Sequence, residues 1–442
     1  MQSVEAIDAL FPAHLAALSG VADRALATAG AEALMIGAGL AKYRFLDDTT
    51  DPFVANPHFK SWVPVLDAPG SFLIYAPGRR PILVFHQPED YWHKPPALPT
   101  GAWLSAVDVR VIRSPTEARA HVPPGTAYVG ETFQGAEDWG FASVNAPALL
   151  AVLHYARAVK SPYELACMRR AAAVGAAAHR AAARAFAAGA SEYEIHLAYL
   201  AASGHTEAEL PYPNIIALNE GGAILHYTDL GRTPPAERRS LLIDAGAQFR
   251  GYACDITRTH AVAPGPFADL VGRMESLEQR LCGMVRPGTA YPDIHLAAHR
   301  LIAELLVELR VVTCSADAAV ETALTSVFFP HGVGHLLGLQ VHDIGGHQAG
   351  EQGGTIAQPS GHPYLRLTRR LDAGMVVTIE PGLYFIDLLL ARARQDGRAR
   401  HIDFAVVEQY APYGGVRIED DVLAAAEGPE NLTRSAFSAL PN

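Results

Sequence analysis

The chain has 442 residues, half of them hydrophobic and 18% charged, which allows two or three domains and excludes disorder, a collagen-like repeat or a small disulfide scaffold. Its 35 Lys and Arg against 46 Asp and Glu give a formal charge of −11, which argues against nucleic acid or an acidic membrane surface as partner. Cys167, Cys254, Cys282 and Cys314 form no C-x-x-C pair, so zinc-ribbon and redox motifs are excluded and a reducing compartment fits.

Glu5 and Asp8 stand where a secretory signal carries basic residues, and no apolar run reaches the ~18 to 20 residues of a membrane span, so a cytoplasmic location without membrane contact is expected. In chain order, the pattern predicts a helix over 7–29, a short strand over 33–36 and a hairpin over 72–85. The hairpin turn is Pro77-Gly78-Arg79-Arg80, where Pro presets φ and Gly accepts a positive φ. Strands over 109–112 and 127–130 and a helix over 146–159 complete a mixed α/β region. Ser161-Pro162-Tyr163-Glu164 reads as a capping box with Pro at the first helical position, opening a helix that runs to Ala187. Ser191-x-x-Glu194 opens another, and β-rich segments then alternate with helical stretches over 267–286 and 291–309. No repeat of 20 to 50 residues is found. The expectation is an α/β protein with domains 1–160 and 161–442.

Leu241-Leu-Ile-Asp244-Ala-Gly246 reads as an apolar strand ending in a carboxylate, and Tyr252-Ala-Cys-Asp255-Ile-Thr-Arg-Thr259 as its hairpin partner. With the turn centred between Phe249 and Arg250, Asp244 and Asp255 stand directly opposite, about 4.5 to 5.5 Å apart at Cβ. Either Asp alone could be a turn residue bonded to backbone. Two carboxylates that close repel, and a cation relieves the repulsion.

His331-Gly-Val-Gly-His335, His342 and His347 put four histidines in a short stretch. Gly332 stands where a zincin has Glu, and two Gly disfavour the helix that would bring both rings to one ion. In an extended chain His331 and His335 are about 13 Å apart, so one ligand is expected, with the other histidines handling protons. Thr378-Ile-Glu380-Pro-Gly382 and Arg417-Ile-Glu419-Asp place two more carboxylates at β-rich segments, where a buried Glu must be paired or coordinated; Arg417 is one such partner for Glu419. Four carboxylates are neutralised by two divalent ions, not one. An oxygen-rich set with one imidazole favours Mn²⁺, with Co²⁺ or Zn²⁺ as alternatives. Two ions that share a hydroxide and polarise a carbonyl perform hydrolysis.

Asp-x-Gly followed by Asp-Ile-Thr-Arg-Thr, His-Gly-x-Gly-His with a further His seven positions on, Thr-Ile-Glu-Pro-Gly and Arg-Ile-Glu-Asp together resemble the pita-bread metallopeptidases. Ile224-Leu-His226-Tyr227, Asn56-Pro-His-Phe-Lys-Ser-Trp62-Val-Pro64 and Leu365-Arg-Leu-Thr-Arg369 narrow the resemblance to bacterial Xaa-Pro dipeptidases, the group that includes organophosphorus acid anhydrolases. The resemblance implies a pita-bread catalytic domain and a smaller capping and dimerisation domain. It also implies metal ligands Asp244, Asp255, His335, Glu380 and Glu419, with Asp255 and Glu419 bridging, and hydrolysis of Xaa-Pro dipeptides by a metal-bridged hydroxide. Glu380 would accept or shuttle a proton, and His226, His331 and His342 match accessory histidines. Arg369 is the candidate for the substrate carboxylate, because a guanidinium fork suits that group. Arg417 would orient Glu419 or Asp255 beside the substrate, and Tyr212 would line the proline pocket. A homodimer is implied, with side activity on organophosphate triesters.

Rival readings fare worse. Gly37-Ala-Gly39 is a Gly-x-Gly after a strand, but Lys42 occupies the third Gly position of a dinucleotide fingerprint. The nucleophile elbow of a serine hydrolase is absent, and Asp244-Ala-Gly is not the Asp-Thr/Ser-Gly of aspartic proteases. The remaining alternative is an aminopeptidase P acting on longer Xaa-Pro peptides.

Overall fold

The computed structural model describes residues 3–441. The chain forms two compact units. One is built from the chain up to Arg170 with Phe249–Tyr252 and Gln348–Gly354, the other from Ala171–Gln248, Ala253–His347 and the chain from Thr355 onward.

The first unit is built on a six-stranded sheet. Its spatial order is Asp108–Ile112, Ile82–His86, Phe72–Tyr75, Ala33–Gly37, Thr126–Val129, Ser143–Val144. The expected hairpin forms, with Phe72 opposite Val84 and Ile74 opposite Ile82, and Gly78 takes the positive φ its turn requires. Met35, Phe72, Ile74, Val84, Ile112 and Tyr128 form one core face.

The helix expected over 7–29 is two, Val4–Asp8 and Phe11–Ala29. Pro12 accounts for the break, since it has no N–H to give the Asp8 carbonyl and its ring crowds it. By length and composition alone an 18-residue window of the stretch Val4–Ala29, with mean hydropathy 1.3, passes as a candidate membrane span, although no uninterrupted apolar run is that long. Interspersed polar residues such as His14, Asp23 and Arg24 interrupt every apolar run, while the alanines keep the average high. Phe11, Leu15, Ala22, Ala25 and Leu26 are buried on this helix. His14 is held at Ser61 O (2.8 Å) and Ser161 Oγ (2.9 Å).

In the second unit, Ile215–Leu218, Ser240–Asp244 and Thr257–Ala261 form an antiparallel sheet. Val376–Ile379, Asp420–Leu423 and Glu430–Asn431 form another, and Gly382–Tyr384 pairs with Gly415–Arg417. Bridges Thr257 to Glu419 and Leu336 to Val377 stitch these pieces together. Ala178 and Ala182 of the helix Pro162–Ala187 pack with Ile195 and Tyr199 of Glu192–Ser203 against Ile216 and Ile243 of the first of these sheets. The capping boxes at Ser161 and Ser191 form as expected.

The hairpin register differs from expectation. Asp244 faces Thr257, because the chain turns at Arg250 and Gly251, both with positive φ, one residue later than assumed. The slip moves the facing residue by two. Side chains alternate faces with period two, so Asp255 keeps the face of Asp244.

Candidate metal centre

Asp244 closes its strand, and Asp255 lies two residues before Thr257–Ala261 begins. The Tyr212 hydroxyl is 2.7 Å from Asp244 Oδ1 and also contacts Asp255 Oδ1, so it holds the two carboxylates together. Gly246 makes room for it: a Cβ there would stand 2.6 Å from the Tyr212 ring.

His335 follows Gly334, whose φ is +150° and where a Cβ would stand 2.1 Å from the Thr378 carbonyl oxygen. The loop can therefore lie flat on the strand Val376–Ile379, where the His335 amide donates to Thr378 Oγ1 at 3.1 Å. His335 Nδ1 is 2.9 Å from the Leu336 carbonyl. That acceptor requires the proton on Nδ1, which turns Nε2 toward the carboxylates, 3.4 Å from Asp255 Oδ2 and 3.7 Å from Glu380 Oε1, where it donates to Asp255 or, once deprotonated, could ligate a cation.

Glu380 is fixed by its own amide, which donates to the Val333 carbonyl at 2.8 Å. Glu419, expected inside a strand, sits between Gly415–Arg417 and Asp420–Leu423. Its Oε2 accepts from Thr257 Oγ1 at 2.7 Å. Asp255, His335 and Glu419 are all buried, with ligand atoms within 4.8 Å of one another. Glu380 adjoins them through His335, and Asp244 through Tyr212.

Burial and mutual repulsion set the electrostatics of this cluster. Burial pushes Glu419 well above the usual carboxylate range, with the Asp255, Glu380 and Asp244 charges adding to it. Burial raises Glu380 to about 7 and raises Asp244 against the pull of Arg417. Asp255 alone is held low, because hydrogen bonds from His335 and Tyr212 outweigh its burial. Four carboxylates face one guanidinium, and an oxygen-rich donor set with one imidazole fits divalent cations.

Arg417, expected beside Glu419 or Asp255, pairs instead with Asp244: Nη2 lies 2.6 Å from Oδ2. Its Nε donates to Thr257 Oγ1 (3.2 Å) and Nη1 to Tyr384 Oη (3.0 Å), so it reaches Glu419 only through Thr257. The fork is spent on protein groups. Tyr212, expected against proline, bridges two metal-ligand candidates.

His331 has both ring nitrogens engaged, Nδ1 at the Gly332 carbonyl (2.7 Å) and Nε2 at Tyr384 Oη (2.9 Å). The His342 ring meets that of His335 edge-on at 4.4 Å between centroids. His226 is exposed and lies within electrostatic reach of both His331 and His342. Arg369 is buried, with Nη2 3.4 Å from the Asp372 carboxylate. Two residues of this network, Thr257 and Tyr384, were not singled out from sequence. Their signal was position: Thr257 shares a face with Asp255, and Tyr384 shares one with Glu380.

The match to known proteins covers both units. Residues 9–155 match the family described as Xaa-Pro dipeptidase, N-terminal domain, and residues 166–426 match metallopeptidase family M24. An Xaa-Pro dipeptidase of Xanthomonas campestris pv. campestris (strain B100) is 48% identical over 435 residues, covering 98% of this chain and 99% of that one. One from Stenotrophomonas maltophilia (strain K279a) is 46% identical over 433 residues, covering 98% of each. Among solved structures, proline aminopeptidase P II from Yersinia pestis aligns with a TM-score of 0.70 at 26% identity, over 94% of this chain and 95% of that one. Aminopeptidase P from E. coli gives 0.71 at 24% identity over 91% of each, a likeness of fold. Ligand geometry, both family matches and full-length identity agree: the chain belongs to metallopeptidase family M24, with the Xaa-Pro dipeptidases as its close relatives.

Proposed function

We propose that the chain hydrolyses Xaa-Pro dipeptides with release of C-terminal proline. The observation that carries this is the convergence of Asp244, Asp255, His335, Glu380 and Glu419, in a chain 48% identical over its length to an Xaa-Pro dipeptidase. Those five residues would hold two divalent ions, which polarise a carbonyl and activate water; manganese suits the donor set, with cobalt or zinc as alternatives.

The protein's own groups do the rest. Glu380 has the most open carboxylate of the four, its side chain 18% exposed, and it takes the proton of the attacking water. The proline nitrogen must be protonated to leave, and His331, His342 and His226 are the groups placed to supply that proton. Arg369 is assigned to the substrate carboxylate. Tyr212 and Arg417 act as positioning residues, holding Asp244 and Asp255 where the ions need them. Dimerisation through the N-terminal unit, a cytoplasmic location and turnover of organophosphate triesters belong to the same reading.

Metal analysis with Ala-Pro and Ala-Pro-Ala assays, with and without chelator, tests it. Cleavage of the dipeptide alone, abolished by chelation and restored by manganese, is expected. Preference for the tripeptide would favour the aminopeptidase P reading, to which the Yersinia structural likeness points. Chelator-resistant turnover would overturn both.

A further inference from the structure

Three histidines of the second unit take no part in this centre. His295 and His299 lie four residues apart on the helix Tyr291–Glu308, so their rings share one face, and His362 meets them from a turn. Ring centroids are 4.7 Å apart for His295 and His299, 4.7 Å for His295 and His362, and 4.5 Å for His299 and His362. Each ring offers a nitrogen within 4.8 Å of the other two, and His295 Nε2 is 2.9 Å from His362 Nδ1. Zinc–imidazole bonds of about 2.0 to 2.1 Å at tetrahedral angles place ligand nitrogens about 3.4 Å apart, inside that bracket.

Two further observations point to a ligand. His299 Nδ1 is 2.8 Å from Thr325 Oγ1, and a ring that donates there turns its Nε2 lone pair toward the cluster, as metal-binding imidazoles do. His295 is 1% exposed and turns its Nε2 into the cluster, so this nitrogen and His362 Nδ1, 2.9 Å apart, meet away from bulk solvent at close to ligand spacing. Burial also keeps His295 and His299 neutral, the form that binds metal, their pKa values falling to about 2 and about 3. His362 is half-buried and leaves the cluster a way in from solvent.

We propose that His295, His299 and His362 form a separate mononuclear site for a transition-metal ion of the zinc class, with water completing the coordination. An all-nitrogen set selects zinc, copper or nickel over manganese or magnesium, the reverse of the carboxylate-rich centre. Phe329 lies beside the new site and the old one, its ring centroid 5.0 Å from His299 and 4.7 Å from His331.

Equilibrium dialysis of the full chain against Zn²⁺, followed by elemental analysis, tests this. About three zinc ions per folded wild-type chain are expected, about two for His362→Ala, and about one for the Asp255→Asn/Glu419→Gln double variant. Thr325→Val, which keeps all three rings, is expected to weaken the extra site by ~10- to 100-fold and leave the other two unchanged. Wild type saturating at two, or His362→Ala retaining three, overturns the proposal.

Discussion

Arg417 donates to a carboxylate of the cluster, Asp244, and is spread as well over Thr257 and Tyr384. Lys carries the charge but not the fork, so Arg417→Lys is expected to keep the fold while losing most metal affinity and activity; unchanged metal content would show that charge alone suffices. Asp255→Asn and Glu419→Gln should each lose metal and turnover together, and full activity in either variant removes it from the ligand set. Thr257→Val deletes the hydroxyl between Arg417 and Glu419, and should weaken metal binding by ~10- to 100-fold in a calorimetric titration with circular dichroism unchanged. The carboxylate candidates stood out in the sequence because Asp and Glu are costly in apolar segments, whereas the choice of His335 over His331 came from the family resemblance and not from spacing. Thr257 and Tyr384 did not stand out, since a hydroxyl becomes chemically significant only through what it faces.

At the level of elements, the loop carrying His335 depends on a contact no larger than one methyl group. Gly334→Ala drives a Cβ into the Thr378 carbonyl, so the loop must lift, and metal occupancy should fall although no ligand is changed. Normal metal content in that variant would show that the strand yields instead. The helix Pro162–Ala187 carries His179, whose Nε2 donates to the Ala245 carbonyl at 2.9 Å and whose pKa burial lowers from 6.5 to about 3. Between those values the unfolded chain takes up a proton that the folded chain refuses. The stability that this one group contributes is therefore complete above about 6.5 and is lost as the pH drops toward about 3, on the order of 1 kcal/mol per unit over that window. His179→Gln should flatten this slope in urea unfolding at pH 7 and pH 5, and an unaltered slope would assign the acid sensitivity elsewhere. Periodicity located these elements well, and the hairpin over 72–85 formed as read. It missed the two-residue turn at Arg250 and Gly251, since a non-Gly residue at positive φ leaves no mark in an apolar pattern, and it missed the break that Pro12 imposes.

On the scale of the whole molecule, four buried carboxylates repel one another until cations compensate them, so ligand binding and folding are linked. Chelation should lower the melting temperature and manganese should restore it, as followed by calorimetry; an unmoved transition would mean that no tightly held ion supports the fold. The capping box at Ser161 was legible as a helix start, and the helix Pro162–Ala187 follows it. Phe249–Tyr252 and Gln348–Gly354 return to the first unit from far along the chain, a long-range assignment that local pattern does not encode.

Arg417 and Glu419 come last in chain order among the residues of the cluster, after Asp244, Asp255, His335 and Glu380. A polypeptide emerging from the ribosome exposes Asp244, Asp255, His335 and Glu380 well before their counter-charge and final carboxylate exist. Assembly of the cluster thus waits on translation of this later segment, and a chain cut just ahead of Gly415 would carry the first four ligand candidates without Arg417 and Glu419, and so no complete centre.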